Sequence, residues 1–191
     1  TGSSASTGSR ISFSNNVYGS STTVFSASLW VKCTNTAGEI PLIGNGSTVG
    51  GTTGYVVYIE NGTLVLSFAN GSNYDFFYGQ SINDNNWHHI AITYNNGAYV
   101  LYLDGSVELS GTSSIFLNNA SPTYDTFLGN RWARTQDTTN AVLSGSIDQV
   151  RIYSSALSAS DIEALVSETN VPTTNLTAHY KLNGNANDET G

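Results

Sequence analysis

Short runs of β-branched, aromatic and other apolar residues are punctuated along this chain by turn pairs at Asn45-Gly46, Asn61-Gly62, Asn70-Gly71, Asn96-Gly97 and Asp104-Gly105. Apolar-alternating runs flank most of these pairs, the strongest short-range signal for β-hairpins. The clearest hairpin joins Tyr55–Glu60 to Thr63–Phe68 through Asn61-Gly62. A second series runs from Trp87 to Tyr94, crosses Asn96-Gly97, continues from Tyr99 to Leu103 and turns at Asp104-Gly105. Meandering antiparallel strands at this spacing predict an all-β sandwich of two sheets, or jelly roll.

One segment alone has a helical period. Ile162, Leu165 and Val166 recur at i, i+3 and i+4, and Ser158 with Asp161 three residues on forms a capping box. One short helix against a sheet is predicted. Residues 168–177, with Pro172 and several threonines, read as an extended connector, and a strand resumes at Ala178–Leu182 before the Asn-, Asp- and Gly-rich end, Asn183–Gly191.

Length and composition narrow the picture. The 191 residues are 39% hydrophobic, enough for one buried domain, so residues 1–191 read as a single unit. Ser, Thr and Asn fill 69 positions against 10% charged residues, so solubility rests on hydroxyls and amides. The net charge is −8, with two lysines and four arginines too scattered to neutralise a run of phosphates, so no nucleic-acid partner is expected. Apolar runs fall well short of the roughly 20 residues of a bilayer crossing, so neither is membrane insertion. With no signal-peptide pattern and no methionine, the chain reads as a fragment or processed product. Cys33 has no partner for an internal disulfide and reads as a small strand residue.

Three segments in combination carry a family resemblance: FSASLWVK (Phe25–Lys32), NWHHIAITYNNGAYVLYLDG (Asn86–Gly105) and LSGSIDQVRIYSSALSASDIEAL (Leu143–Leu165). The second and third join a Trp-His-His strand, a hairpin ending Leu-Asp-Gly, and an Ile-Asp-x-Val-Arg-Ile-Tyr strand that runs into a capped helix. Over Arg10–Val166 the chain resembles the laminin-G-like branch of the concanavalin A-like lectin and glucanase superfamily, which includes the pentraxins.

The resemblance carries one displacement. AHYKLNGNANDETG (Ala178–Gly191) looks like the first strand and loop of such a domain, yet it comes last. It could open a next repeat, return to this sandwich, or complete a neighbouring molecule by self-association through residues 178–191. Return within the chain is within reach of an extended ten-residue connector of some 30 Å, and it places Tyr180–Leu182 beside Gln149–Ile152.

Strict alternation puts Asp148 on one face with Val150 and Ile152, turning a carboxylate toward the apolar side. The resemblance implies calcium near a sheet rim, for which Asp148 with Asn183, Asn185 and Asp188 would supply hard oxygen ligands. The alternative is that Asp148 caps backbone amides and Asp188 is solvated turn chemistry. His88 and His89 are strand neighbours with rings on opposite faces, and no Ser-His-Asp or Cys-His constellation can be assembled.

Glycan-cleaving members of the superfamily resemble one another in a strand bearing Glu-x-Asp-x-x-Glu, whose same-face carboxylates do acid/base work. That pattern is missing. Glu39, Glu60, Glu108, Glu163, Glu168 and Glu189 are far apart along the chain, so no enzyme activity is expected.

Aromatic residues are the better clue, because sugar C–H faces stack on flat rings. Trp30 and Trp87, in family-like strands, are expected in the core. Trp132 sits in a polar loop with Arg131, Arg134 and Asp137, a ligand platform or a ring lying over a sheet edge under Arg131. In Asn73–Gly79, Tyr74, Phe76 and Tyr78 share one face against Asp75 and Phe77, one set core and the other rim. Sequons at Asn45, Asn61, Asn70, Asn119 and Asn175 are compatible with secretion.

The resulting expectation is a glycan-binding or adhesion module of a larger secreted, cell-surface or virion-fibre protein, with glycans or surface glycoproteins as partners and calcium as an open question. A structural module assembling through its last strand is the alternative.

Overall fold

The structure is a computed structural model, and it describes residues 11–12, 23–46, 53–115, 126–129, 143–184 and 187–190. Trp132, Arg131, Arg134, Asp137, Tyr124, Asn119 and Asn185 lie outside the described residues.

The strands are β1 (Ile11–Ser12), β2 (Val24–Cys33), β3 (Glu39–Gly44), β4 (Thr53–Glu60), β5 (Thr63–Asn70), β6 (Tyr74–Ser81), β7 (Trp87–Asn95), β8 (Ala98–Leu103), β9 (Ser106–Thr112), β10 (Phe127–Leu128), β11 (Gly145–Tyr153) and β12 (Leu176–Tyr180), with one helix, α1 (Ala159–Ser167). They form two antiparallel sheets, ordered β1-β10-β3-β4-β5-β6 and β12-β11-β2-β7-β8-β9. This is the two-sheet sandwich predicted from the hairpin pattern.

Turn chemistry sets three of the hairpins. Asn61-Gly62, Asn96-Gly97 and Asp104-Gly105 all have positive φ at both residues, between 48° and 99°, matching the twist of the strands they join. The other two pairs behave differently. Asn70 Oδ1 accepts the N–H groups of Ser72 and Asn73, making a longer Asx-type loop. Asn45 is buried and its Oδ1 accepts the Tyr55 N–H at 3.1 Å, so this pair ends a strand rather than turning a hairpin.

The sheets meet through alternate residues. Phe25, Leu29 and Val31 of β2 pack with Tyr55, Val57 and Ile59 of β4, Leu66 and Phe68 of β5, and Ile90, Ile92 and Tyr94 of β7. Aromatic contacts cross the gap, Phe25 to Tyr55 at 4.7 Å and Phe77 to Tyr99 at 4.5 Å between ring centres. Cys33 is buried in this core, its thiol donating to the Ile82 carbonyl.

Each sheet buries part of its outward face as well. On β4 and β5 the other phase, Val56, Tyr58 and Val65, forms a small buried cluster with Phe127, which explains why YVVYI and LVL are continuous apolar runs. On the second sheet α1 covers Ala91, Tyr102 and Tyr153 with Ile162 and Leu165. A nine-residue helix is marginal alone. Burying those two side chains, at about 1.5–3 kcal/mol each, outweighs the roughly 1 kcal/mol of its Ser158–Asp161 capping box.

β12 lies antiparallel beside β11, with Tyr180 opposite Val150 and His179 opposite Arg151. The strand begins at Leu176 and ends at Tyr180, two residues earlier than the sequence pattern predicts at each end. Leu182 takes φ 55°, which breaks the extended run.

β11 departs from strict alternation. Gln149 has φ 49°, and between Asp148 and Arg151 two residues face a single one on β2. This bulge shifts the phase of the strand. Ile147, Val150 and Ile152 therefore belong to the core side, whereas Asp148 stands across from Trp30 on the outward face. The expectation that Asp148 shares a face with Val150 and Ile152 is overturned.

Candidate functional site

The most exposed aromatic row among the described residues lies on β6, an edge strand of the first sheet. Phe77 turns inward against Phe68 and Tyr99. Tyr74, Phe76 and Tyr78 turn outward, with Phe76 40% and Tyr78 58% exposed. Tyr74 and Phe76 lie 6.2 Å apart with planes only 15° from parallel. The buried Tyr74 hydroxyl has no hydrogen-bond partner among the described residues. The Phe77 set is core and the Tyr74 set is rim.

The edge of β6 is held against β9. Glu108 accepts the Gln80 backbone N–H at 2.6 Å and the Gln80 side-chain amide at 2.9 Å, and Ser113 Oγ donates to Asp75 at 2.6 Å. Gly79 leaves room for this arrangement, since a Cβ there would stand 2.8 Å from the Glu108 carboxylate. The aromatic row thus rides on a braced strand, with the Gln80 N–H of its edge already taken.

Carboxylates stand at one end of the same face. Glu39 is directly opposite Glu60 across the β3–β4 ladder, although 21 residues part them in sequence, so the expectation of widely separated glutamates fails for this pair. Burial, then the charge of Glu60 and its hydrogen bond, then Glu39, push the Tyr78 phenol up. Both glutamates are half-exposed beside the Asn61-Gly62 turn.

A second acid pair flanks His88. Asp104 Oδ2 bonds its Nδ1 at 2.8 Å and Asp84 Oδ1 its Nε2 at 3.1 Å, so an imidazole fills the space between the carboxylates. Asp104 Oδ1 also accepts the His89 N–H. Burial lowers the His88 pKa, but the two aspartates outweigh it and hold it above the ordinary value. The backbone and side-chain amides of Asn86 take Asp84 down to about 2. His89 points the other way, fully buried, and burial with the nearby Arg151 charge lowers it to about 4.

Of the residues expected to hold calcium, Asn185 lies outside the described residues, and Asp148 and Asp188 have different partners. Asp148 accepts the Gln149 N–H at 2.8 Å, its one side-chain partner among the described residues. Asp188 Oδ1 accepts the N–H groups of His179 and Thr190 and the Thr190 hydroxyl, on the outer edge of β12. β12 separates the two carboxylates, Asn183 is exposed, and no cluster of three His, Cys, Asp or Glu side chains among the described residues could hold a metal. Among the described residues, Asp148 and Asp188 therefore do not share a site.

Neither Trp30 nor Trp87 is in the core. Both occupy the outward phase of the second sheet, Trp30 with its ring edge-on to His89 at 5.3 Å and Trp87 43% exposed. Their strands are family-like, but only the pairing register reveals which face each ring takes. No helix among the described residues is long and apolar enough to cross a membrane.

A family model described as the concanavalin A-like lectin/glucanases superfamily matches residues 5–163. No curated protein sequence matches the chain. Among solved structures, a carbohydrate-binding module (CBM40) of the Ruminococcus gnavus IT-sialidase, bound to α2,3-sialyllactose, is similar at 18% identity and TM-score 0.63, covering 77% of this chain and 84% of that one. Domain 4 of AbnA, an extracellular GH43 arabinanase of Geobacillus stearothermophilus, in complex with arabinotriose, is similar at 24% identity and TM-score 0.59, covering 76% of this chain and 68% of that one. The enzymatically active domain of bacteriophage CBA120 tailspike protein 2 is similar at 14% identity and TM-score 0.68, covering 92% of this chain and 28% of that one. At these identities the likeness is one of fold.

Proposed function

Because the chain belongs to the concanavalin A-like lectin/glucanase superfamily, we propose that it is a non-catalytic glycan-binding module of a larger extracellular, cell-surface or virion-surface protein. The outward aromatic row of β6 carries this reading. Phe76 and Tyr78 offer flat apolar surface on a braced strand, the surface a sugar's C–H face needs, and Glu60 and Glu39 offer acceptors to hydroxyls at its end.

Charge narrows the ligand. No Lys or Arg among the described residues lies on this sheet, since Lys32, Arg151 and Lys181 belong to the other sheet or its continuation. A neutral chain, such as the arabinotriose in the arabinanase domain, suits this face better than a sialylated one. Residues 130–142, with Trp132, Arg131, Arg134 and Asp137, are a further proposed contact region.

Glycan-array binding of the wild-type chain, with and without calcium, tests the proposal beside Phe76→Ala/Tyr78→Ala and Trp132→Ala variants. The expected result is neutral-glycan binding that the double variant loses. A blank array for folded wild-type chain in both conditions refutes it.

A further inference from the structure

The outward face of the second sheet carries a different patch, beyond the reach of α1. Cross-strand pairing puts Ser146, Lys32 and Trp87 in one row and Asp148, Trp30 and His89 in the next. All six share the outward phase, with His89 itself fully buried beside the Trp30 ring. The next row, Arg151, Ser28 and Ala91, runs under the helix end, where Arg151 is tied to Glu168. The result is a shelf, closed on one side by the helix and open on the other at Trp87.

Three features separate this shelf from an ordinary exposed side chain. Trp87 is 43% exposed, and a second indole, Trp30, is its diagonal neighbour, a spacing aromatic side chains bridge. The polar groups around them are uncommitted. The Lys32 ammonium makes no hydrogen bond or ion pair among the described residues, and Asp148 spends one oxygen on the adjacent Gln149 N–H and leaves the other without a partner among the described residues. The third feature is the bulge. A left-handed Gln149, φ 49°, is unfavourable for a non-glycine residue, and its effect is to re-aim the Asp148 carboxylate from the core side to a position across from Trp30.

We propose that this shelf is a second carbohydrate subsite, taking one neutral pyranose unit, on the opposite face of the sandwich from β6. Strands stand about 4.8 Å apart and alternate residues about 6.8 Å apart, so two rows on three strands offer a footprint for one sugar ring and not for a chain. The Trp87 indole receives the apolar face of the ring, Asp148 accepts from its hydroxyls, and Lys32 donates to one. An acid and a base on either side of the rings favour neither an anionic nor a cationic sugar. The subsite does not depend on the β6 face, so either can fail alone.

The test is the indole N–H resonance of Trp87, assigned with Trp87→Phe, during titration with glucose, galactose, N-acetylglucosamine, lactose and cellobiose. At least one sugar should shift this resonance saturably. Asp148→Asn should weaken that binding about tenfold, the loss of a charge-assisted hydrogen bond, while Phe76→Ala/Tyr78→Ala leaves it intact. Asp148 is not needed for the core, so an unchanged melting temperature certifies that variant. A Trp87 resonance that ignores all five sugars overturns the proposal. So does full affinity in Asp148→Asn, or a resonance that moves with protein concentration alone, which would mark a protein interface.

Discussion

Asp188 accepts the backbone N–H of His179 at 3.0 Å, and Glu189 N–H returns to the His179 carbonyl at 2.8 Å, so the outer edge of β12 is occupied by the chain's own end. An edge strand with its ladder groups taken is a poor template for another molecule.

Asp188→Ala should therefore lower stability by about 0.5–1.5 kcal/mol, the net worth of a lost hydrogen bond at an exposed edge, and open the edge. Calorimetry and light scattering are the measurements. The loss of melting temperature is expected to be the same with and without millimolar calcium. A calcium-dependent rise in wild type that Asp188→Ala abolishes would instead make Asp188 a ligand.

Arg151 is buried with its guanidinium bidentate on Glu168 at 2.8 and 2.7 Å. Removing Glu168 strands that charge. Glu168→Ala is expected to cost about 2 kcal/mol, less than the 3–5 kcal/mol of a fully buried pair because Glu168 is 40% exposed. Arg151→Met, which removes the charge and keeps the volume, should cost less. Denaturant unfolding of both variants checks the order.

The two adjacent histidines have opposite linkage. His89 stays neutral to about pH 4 when folded but takes its proton near 6.5 when unfolded. The unfolded state therefore binds more protons in that window, and stability falls as pH drops from 6.5 to about 4. His88 has a raised folded pKa, so its contribution is complete below the unfolded value of about 6.5 and is lost as pH rises through the higher folded pKa. Replacing His89 by Leu should flatten the acid-side fall in melting temperature. Replacing His88 by Gln should flatten the fall on the alkaline side of the unfolded value.

No release of reducing ends is expected from neutral polysaccharides. Glu39 and Glu60 stand together but half-exposed, and Asp84 and Asp104 are filled by His88. Hydrolysis by wild type that Glu60→Gln abolishes would overturn the non-catalytic reading.

What the sequence determined by itself was whatever depends on neighbours a few residues apart. The Asn-Gly and Asp-Gly turns that must take positive φ, the Ser158–Asp161 cap and the alternation of β2 and β7 are local backbone preferences, and the hairpins and α1 follow from them. The inward Phe77 and outward Tyr74, Phe76 and Tyr78 were legible as two sets, though not which set was core. The tertiary structure decided what depends on register. Asp148 looks core-facing until the Gln149 bulge shifts the phase, Trp87 looks buried until its row is seen beyond the helix, and Glu39 meets Glu60 only once β3 pairs with β4. The reason is physical: a side chain's face is set by the ladder its strand joins, and a one-residue slip, invisible in composition, turns every later side chain over.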